Sequence, residues 1–423
     1  MYVWSAVKNM NSVSLSKRQS VSDIRRENVR QIVTLLARHK NLTRHEICVQ
    51  TGLTGAGLSR NIKVLVEADL VTDFPEVSEQ NQKGRRRSVL SLNAEGAFVI
   101  GITLSANRKQ ICVMNCARDI ISQRDFDDLD VSDPARVLDH FINEAKAIIV
   151  EAGIDRGRVL GAGVVLGTSS ADPIGDFVSM PVLGWQDIPI LSKLREGLAM
   201  PVGLMSRSEA LLRVEEVRAM DDGKVTDQKP PRILLVNVGV GIGSAISRGD
   251  AFLGGVHQPQ ISHLALGEQS AVCSCGRFGC LEQVASGAGV VRELGQIRKD
   301  RLMPFHHLNG GLADALMQAR DGNQQVRDVF FNTGRRMAEG LDLAVAMLSP
   351  DQILIAGEVG RQPDYFKGII SESEKFASPL RRLEIGRCTT RSIYAAGLLG
   401  LRNFFFSRDL SLGSLQMLSR EAS

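Results

Sequence analysis

The residues most able to do chemistry lie in one short stretch, SHLALGEQSAVCSCGRFGCLE. It supplies one imidazole and three thiols, from His263, Cys273, Cys275 and Cys280. Four such ligands complete the tetrahedral coordination of zinc and leave no position for water, so we expect a structural rather than a catalytic metal. In a reducing compartment this spacing favours a metal over a disulfide. Gly276 and Gly279 allow the loop to turn its sulfurs inward.

A glycine-rich turn precedes this stretch, in the run VNVGVGIGSAI. Gly239, Gly241 and Gly243 alternate directly after an apolar segment of strand length. Such a turn lets backbone come close to a phosphate or a sugar, but a plain tight hairpin explains the pattern equally well. The turn therefore indicates a binding site only with support from other residues.

From residue 97 onward, apolar runs of strand length alternate with helical segments. The strand signals are 98–102, 111–114, 159–165, 233–238 and 352–356, and the helical signals are 135–152 and 326–348. Strands that alternate with helices indicate an α/β fold. Because the pattern starts again near residue 230, we expect two similar lobes with a cleft between them.

The first ninety residues follow another pattern, which predicts three short helices. An apolar stripe with helical spacing covers 29–36. Thr43 followed by Glu46 forms a capping box at the start of a second helix, which ends at Gly52. Thr54 can cap a third helix.

The outer face of this third helix carries small or basic residues. They are Gly55, Ala56, Ser59, Arg60 and Lys63. A helix with such a face can approach base edges in the major groove of DNA. A predicted hairpin follows, with strands at 70–71 and 89–92 and a basic run at or beside its tip. Arg85, Arg86 and Arg87 of this wing are expected to contact phosphates or the minor groove.

The order of helix, capped helix, turn, helix and basic hairpin resembles the winged helix-turn-helix of many bacterial repressors. Charge supports it: residues 1–90 carry 15 Lys and Arg against 8 Asp and Glu, a net charge of +7. The rest of the chain has a net charge of −3. A basic module joined to an ordinary globular domain is typical of proteins that bind a polyanion.

The composition favours a cytoplasmic protein. No apolar run reaches the roughly 18 to 20 residues that span a bilayer, and the N-terminus lacks the apolar stretch of a secretory signal. The cysteines outside the cluster are predicted to be small buried hydrophobic residues, namely Cys48, Cys112, Cys116 and Cys388.

The cluster also resembles a known family signature. His263, nine residues and then CxCGxxGCLE, after a glycine-rich strand turn, is similar to the motif of the ROK family of repressors, open reading frames and kinases. Residues 177–190, FVSMPVLGWQDIPI, resemble the family segment that ends in Gly-Trp before the second lobe. The DNA-binding half resembles the repressor branch, which includes regulators of glucose, N-acetylglucosamine and xylose use. The resemblance covers 23–400.

This resemblance implies the fold and the domain boundaries. We expect a flexible arm over 1–21 and a winged helix-turn-helix DNA-binding domain over 22–93. Residues 94–423 are expected to form a two-lobed actin-like, sugar-kinase-like (ribonuclease H-like) ROK domain of the α/β class. Its second lobe, which holds the zinc site, is expected from about residue 210.

The chain departs from the family's kinases at two places. Those kinases carry a DxGGT-like phosphate loop after the first strand, whereas 101–107 has Thr103 at the acidic position and no glycine pair. Their catalytic base is the Asp of an Asn-Asp pair, and the matching positions are Ser206 and Arg207. A guanidinium stays charged and cannot accept a proton. The resemblance therefore implies a pseudokinase, with Glu209 as the alternative, displaced base.

The sugar contacts of the family are altered as well. Gln260, His263 and Glu282 match the positions that hold sugar hydroxyls, while Val182 replaces an Asn that often precedes Leu-Gly-Trp. Together with Arg207, this ligand set would suit a compound that carries a carboxylate or a phosphate. Alternatively, Arg207 pairs within its own segment, with Glu209, Glu215 or Glu216.

The sequence thus predicts a DNA-binding transcriptional regulator, usually a repressor in this branch, of genes for sugar metabolism or transport. Its expected partners are operator DNA and a sugar or sugar derivative. A homodimer or a dimer of dimers is implied by the family and by the paired half-sites that such heads bind. One rival is an active, ATP-dependent sugar kinase with an added DNA-binding head. Another is a sensor that acts mainly by binding a protein, such as a sugar-transport component.

Overall fold

The computed structural model divides the chain into two compact units, one formed by 1–97 with 404–423 and the other by 98–403. It describes residues 20–75, 88–105, 108–126, 128–167, 170–171, 176–180, 183–221, 231–247, 255–266, 271–295, 305–376 and 383–421. The predicted arm falls outside the described residues, except that Ser20 caps a helix that begins at Val21.

The first unit contains the three predicted helices and a small sheet. The helices are α1 Val21–Arg38, α2 Arg44–Thr51 and α3 Gly55–Glu67. The strands are β1 Leu42–Thr43, β2 Val71–Pro75 and β3 Ser88–Leu92, in the antiparallel order β1-β3-β2. The basic tip that the sequence places between β2 and β3, with Arg85, Arg86 and Arg87, lies outside the described residues.

The predicted helix boundaries of this unit are confirmed. Thr43 and Glu46 form the reciprocal capping box at the start of α2. Gly52 ends that helix with a φ of 71°, a left-handed conformation that glycine adopts without steric cost. The Thr54 hydroxyl accepts a hydrogen bond from the backbone N–H of Gly57 and so caps α3. The turn between α2 and α3 therefore follows from local chemistry.

The last residues of the chain pack in the first unit, whereas the sequence had assigned all of 94–423 to the ROK domain. Helix α13, Leu412–Glu421, lies against α3, and Nε2 of Gln416 donates to Glu67 at 3.1 Å. Arg408 donates to Glu27 of α1. These contacts join residues far apart in sequence, so hydrophobic periodicity does not reveal them.

The second unit begins with a five-stranded sheet. Its strands are β4 Phe98–Leu104, β5 Lys109–Asn115, β6 Ile120–Asp125, β7 Val159–Leu166 and β11 Val202–Ser206, in the order β11-β7-β4-β5-β6. A small separate sheet holds β8 Ser170–Ala171, β9 Val178–Met180 and β10 Trp185–Ile188. Two helices, α4 Pro134–Glu151 and α5 Ile190–Leu198, share a hydrophobic core with the large sheet.

A second five-stranded sheet forms the other lobe of this unit. Its strands are β12 Ile233–Val238, β13 Ile242–Ser247, β14 Val256–His257, β15 Gln352–Ala356 and β16 Glu384–Arg387, in the order β14-β13-β12-β15-β16. The helices that follow β11 are α6 Arg207–Asp221, α7 Leu281–Ala285, α8 Gly287–Glu293, α9 Phe305–Arg320, α10 Gln324–Leu348, α11 Pro363–Ser373 and α12 Ser392–Gly400. The predicted two-lobed α/β pattern is confirmed.

Helices α6 and α12 lie between the two sheets. Their core includes Val165 from β7, Leu211 from α6, Leu235 from β12 and Ala396 from α12. All four side chains are almost completely buried. A shared apolar layer therefore joins the two large sheets of this unit.

Candidate functional site

The four predicted metal ligands come together. Nδ1 of His263 lies 3.6 Å from Sγ of Cys273, and Sγ of Cys275 lies 3.6 Å from Sγ of Cys280. All four ligand atoms lie within 4.8 Å of one another. One imidazole nitrogen and three sulfurs at these distances can hold a metal ion.

The local backbone explains how the cluster forms. His263 ends a 3-10 turn, Ile261–His263, and Cys280 directly precedes α7. Gly276 and Gly279 have φ angles of 82° and 70°, which favour glycine, so their predicted role in folding the loop is confirmed. The loop is closed by a hydrogen bond from the backbone N–H of Gly276 to the carbonyl of Cys273, at 2.9 Å.

A cation beside the loop favours thiolate formation. Burial acts to raise the pKa of Cys275, but hydrogen bonds from the backbone and side chain of Arg277 lower it to about 7. Burial raises the pKa of the neighbouring Cys280 thiol. Because thiolate is the form that ligates metals, the contacts with Arg277 favour the ligating form of Cys275.

The three residues predicted to hold sugar hydroxyls have different environments. Glu282 is buried and accepts a hydrogen bond from the backbone N–H of Ile242 at 3.2 Å, and burial raises the pKa of its carboxyl group. Gln260 is exposed. His263 turns Nδ1 toward the sulfurs, so its second ring nitrogen, Nε2, is the one left for a ligand. Val182 lies outside the described residues.

Arg207 is the first residue of α6, and the sequence resemblance predicts that it matches the Asp that serves as the family's catalytic base. Its Nε and Nη2 atoms are buried and have no hydrogen-bond partner in the described part of the chain. The alternative pairing within its own segment is wrong, because the three candidate glutamates engage other arginines. Glu209 and Glu216 face Arg213, and Glu215 faces Arg218.

The segment expected to correspond to the phosphate loop of the family's kinases is described as far as Ser105 and again from Arg108. The backbone N–H of Ser105 donates to the carbonyl of Arg108 at 2.8 Å, and Leu104 pairs with Lys109. Thr103 is fully buried, and its hydroxyl has no partner among the described residues. Within those residues, the segment presents neither the carboxylate nor the glycine pair that the family's phosphate loop uses.

The predicted DNA-facing surface of α3 is exposed. Gly55, Ala56, Ser59, Arg60 and Lys63 are all exposed, while Leu58, Ile62 and Leu65 face the core. Sequence reasoning missed Arg44 at the start of α2, whose Nη1 donates to the Ser59 hydroxyl at 3.5 Å and whose Nη2 contacts Asp73 at 2.5 Å. The sequence signal for Arg44 was its position directly after Thr43, the cap of α2. Arg44 adds a cation beside the α3 face.

Comparison with known proteins places this geometry in a family. Residues 99–400 match the ROK family. The chain belongs to the ROK family. Residues 28–86 match the MarR family, which agrees with the winged helix-turn-helix of the first unit. This ROK protein contains no helix, within its described residues, that is long and apolar enough to cross a membrane.

Individual relatives of this ROK protein include regulators and kinases. A xylose repressor of Caldicellulosiruptor bescii is 23% identical over 331 residues, which cover 76% of this chain and 80% of that protein. A glucokinase of Halalkalibacterium halodurans is 29% identical over 211 residues, covering 47% of this chain and 61% of that protein.

A solved structure extends the likeness to nearly the whole chain. It is a ROK family transcriptional regulator described as a homologue of the Escherichia coli MLC protein. The TM-score is 0.68 at 18% identity, with 95% of this chain and 100% of that chain covered. The two proteins therefore share a fold.

Proposed function

We propose that this ROK protein is a sugar-responsive transcriptional regulator, acting as a repressor of genes for sugar metabolism or transport. The observation that carries this proposal is the exposed small and basic face of α3, with Arg60 and Lys63, on a capped helix-turn-helix. A helix of this kind can enter the major groove, while Arg85, Arg86 and Arg87 of the wing contact the backbone of operator DNA. Binding to the chromosome places the protein in the cytoplasm.

Selection of genomic DNA fragments by the purified full chain tests this function. We expect a few enriched sequences with two similar half-sites, because paired heads of a homodimer or a dimer of dimers read symmetric operators. A sugar that regulates the protein changes this binding only if it has unequal affinity for two conformations of the chain. If no sequence is enriched over input DNA, the regulator proposal is wrong. In that case the rival sensor, which acts by binding another protein, is favoured.

We propose that the metal is structural zinc. Tetrahedral zinc with Zn–N of about 2.05 Å and Zn–S of about 2.3 Å separates nitrogen from sulfur by about 3.6 Å and two sulfurs by about 3.8 Å. The distances of 3.6 Å for His263–Cys273 and 3.6 Å for Cys275–Cys280 support this ion. Since the four protein ligands fill the tetrahedron, the ion would hold the loop between His263 and α7 in place rather than activate water.

We propose further that the chain is a pseudokinase. Arg207 cannot act as the general base, and the contacts of Glu209 with Arg213 and Gln258 support another role for that carboxylate. Loss of a general base alone lowers the rate by about 10² to 10⁴. The similarity to a glucokinase is the observation that favours the kinase alternative, and a coupled assay of sugar-dependent ATP turnover decides between the two. Turnover at about 1 to 10³ per second, the usual range for enzymes, would overturn the pseudokinase assignment.

The sugar contacts proposed for this domain are Gln260, His263 and Glu282, joined by Arg207. The buried carboxyl of Glu282 and the exposed amide of Gln260 supply polar groups in addition to the imidazole of the metal ligand His263. A thermal-shift screen of sugars tests this set, because a ligand that binds only the folded state raises its stability. Loss of the shift in Glu282→Gln, with zinc retained, is the expected result.

A further inference from the structure

The side-on edge of the Arg207 guanidinium is free of partners among the described residues. Nε and Nη2, the two atoms left without hydrogen bonds, are neighbours on the same edge of the planar group. That edge presents two parallel N–H donors, the arrangement that matches two oxygens of a carboxylate or a phosphate. A buried cation without a partner destabilises the fold, so a position of this kind favours a bound anion.

A glycine lies beside the guanidinium. A β-carbon on Gly167, directly after β7, would stand 3.6 Å from Nη2 and 3.8 Å from Cζ of Arg207. It would also stand 3.8 Å from Cβ of Ser105. The ends of β4 and β7 therefore meet Arg207 at a point where the backbone of residue 167 carries no side chain.

Two charged groups act on the Arg207 guanidinium in addition to its burial. Burial lowers the pKa of the Arg207 guanidinium, Glu358 opposes this effect by attraction, and Arg361 adds to it by repulsion. Arg361 is itself held by hydrogen bonds to the carbonyls of Cys388 and Thr390, at 3.1 and 2.8 Å. The positive charge of this second guanidinium favours an anionic ligand beside Arg207.

The helix that carries Arg207 also attracts negative charge. Arg207 is the first residue of α6, a helix of 15 residues, and a helix N-terminus attracts negative charge. Nearby, Gln258 donates to Glu209 at 3.3 Å, which links the first turn of α6 to the segment that holds Gln260. The first turn of α6, which begins with Arg207, therefore contacts the segment that holds Gln260.

We propose that the ligand of this domain is an anionic sugar derivative, a sugar acid or a sugar phosphate, whose charged group is bound side-on by Arg207. This proposal rests on the sugar-responsive function proposed above. It narrows the class of ligand from sugars in general to anionic sugar derivatives. A neutral sugar can offer hydroxyl oxygens to Nε and Nη2 but no negative charge, so the site favours the anionic derivative. An arginine at the position expected for the family's catalytic base would thereby supply the charge that selects the ligand.

The test compares matched sets of ligands on the full zinc-loaded chain. Each set holds a neutral sugar, its sugar acid and its 6-phosphate, for glucose, mannose, galactose and N-acetylglucosamine, with acetate and inorganic phosphate as anions without a sugar. Dissociation constants are measured by calorimetry after a thermal-shift screen. We expect one acid or one phosphate to bind at least ten times more tightly than its neutral parent, and which of the two binds identifies the source of the anion.

Two variants and a control connect the preference to this site. Arg207→Gln should lose at least tenfold in affinity for the anionic sugar, and Arg207→Lys should weaken it as well, because lysine keeps the charge but not the two parallel donors. Arg320→Gln removes an exposed arginine at the end of α9 and should bind as the wild type does. Without ligand, Arg207→Gln should unfold at the same temperature as the wild type or above it, since an unpaired buried charge has been removed.

Each other outcome overturns the inference. It fails if every neutral sugar binds as tightly as its acid and phosphate, or if no anionic sugar binds at all. It also fails if both variants keep the wild-type affinity, or if acetate or phosphate alone gives the same shift, which indicates an adventitious ion only. Selection of genomic DNA separates this failure from that of the proposed function. If operator sequences are enriched and a neutral sugar releases them, the regulator proposal stands and the anion-site proposal fails.

Discussion

Gly163 and Gly400 bring β7 and α12 so close together that a β-carbon on Gly163 would stand 2.5 Å from the backbone nitrogen of Gly400. The carbonyl of Ala396 lies nearer still. Backbone atoms cannot move aside as a flexible side chain can. This contact holds the helix layer against the first sheet, and its tolerance to substitution can be measured.

Gly163→Ala is expected to destabilise the unit formed by 98–403 by about 1 to 3 kcal/mol, the usual effect of overpacking a core. Thermal unfolding measures the change. Gly310→Ala is the matched control, because Gly310 lies in exposed helix α9 and an added β-carbon meets nothing within 4 Å. Alanine there should stabilise by up to about 1 kcal/mol through helix propensity. Equal stability of Gly163→Ala and the wild type would contradict the close packing.

Cys275→Ser is expected to reduce bound zinc to well below one ion per chain, because a hydroxyl replaces a thiolate ligand. Metal analysis of the purified protein gives the number. Cys48→Ser is the control, since Cys48 is a half-buried residue of α2 outside the cluster and should leave the zinc content unchanged. Undiminished zinc in Cys275→Ser would refute the assigned ligand set.

Arg60→Ala is expected to weaken binding to the selected operator by about 1 to 3 kcal/mol, or roughly 5- to 150-fold, if Arg60 reads a base edge. Binding is measured by fluorescence anisotropy at fixed salt, because phosphate contacts make affinity depend on ionic strength. Arg136→Ala removes an equal charge from exposed α4 in the other unit and should bind normally. Equal affinity of the wild type and Arg60→Ala would remove this residue from the DNA interface.

The lowered pKa of Glu27 predicts that the stability of the first unit depends on pH. A hydrogen bond from Arg30 lowers the pKa of its carboxyl to about 2, burial opposes this, and Arg408 lowers it further. The folded value lies below the unfolded value of about 4.3, so the stabilisation is complete above about pH 4.3 and is lost as the pH falls toward 2. Because the side chains of Arg30 and Arg408 are 36% and 58% exposed, solvent screens these contacts and the effect is about 1 kcal/mol or less.

Glu27→Gln should therefore lower the unfolding temperature at neutral pH and flatten its fall between about pH 4.3 and 2. Glu95→Gln, which removes an exposed carboxylate from the 3-10 turn Ala94–Gly96, serves as the control. The interpretation is wrong if both variants show the acid dependence of the wild type.

The sequence by itself determined the local elements and the metal cluster. Thr43, Glu46, Gly52 and Thr54 define helix ends through hydrogen bonds within a few residues, so their types and spacing suffice. The metal ligands could also be identified from the sequence, because three thiols and an imidazole in one short loop are compatible with few kinds of site other than a metal site. The alternation of strands and helices gave the two-lobed fold for the same reason, since burial imposes its period on the chain.

Only the tertiary structure decided which charges are paired and where the chain's end packs. Arg207 had three glutamates within reach along the sequence, yet each turns to another arginine. The last helix, α13, joins the first unit through contacts such as Gln416 with Glu67. Such pairings depend on side-chain directions and on elements hundreds of residues apart, which no local spacing encodes.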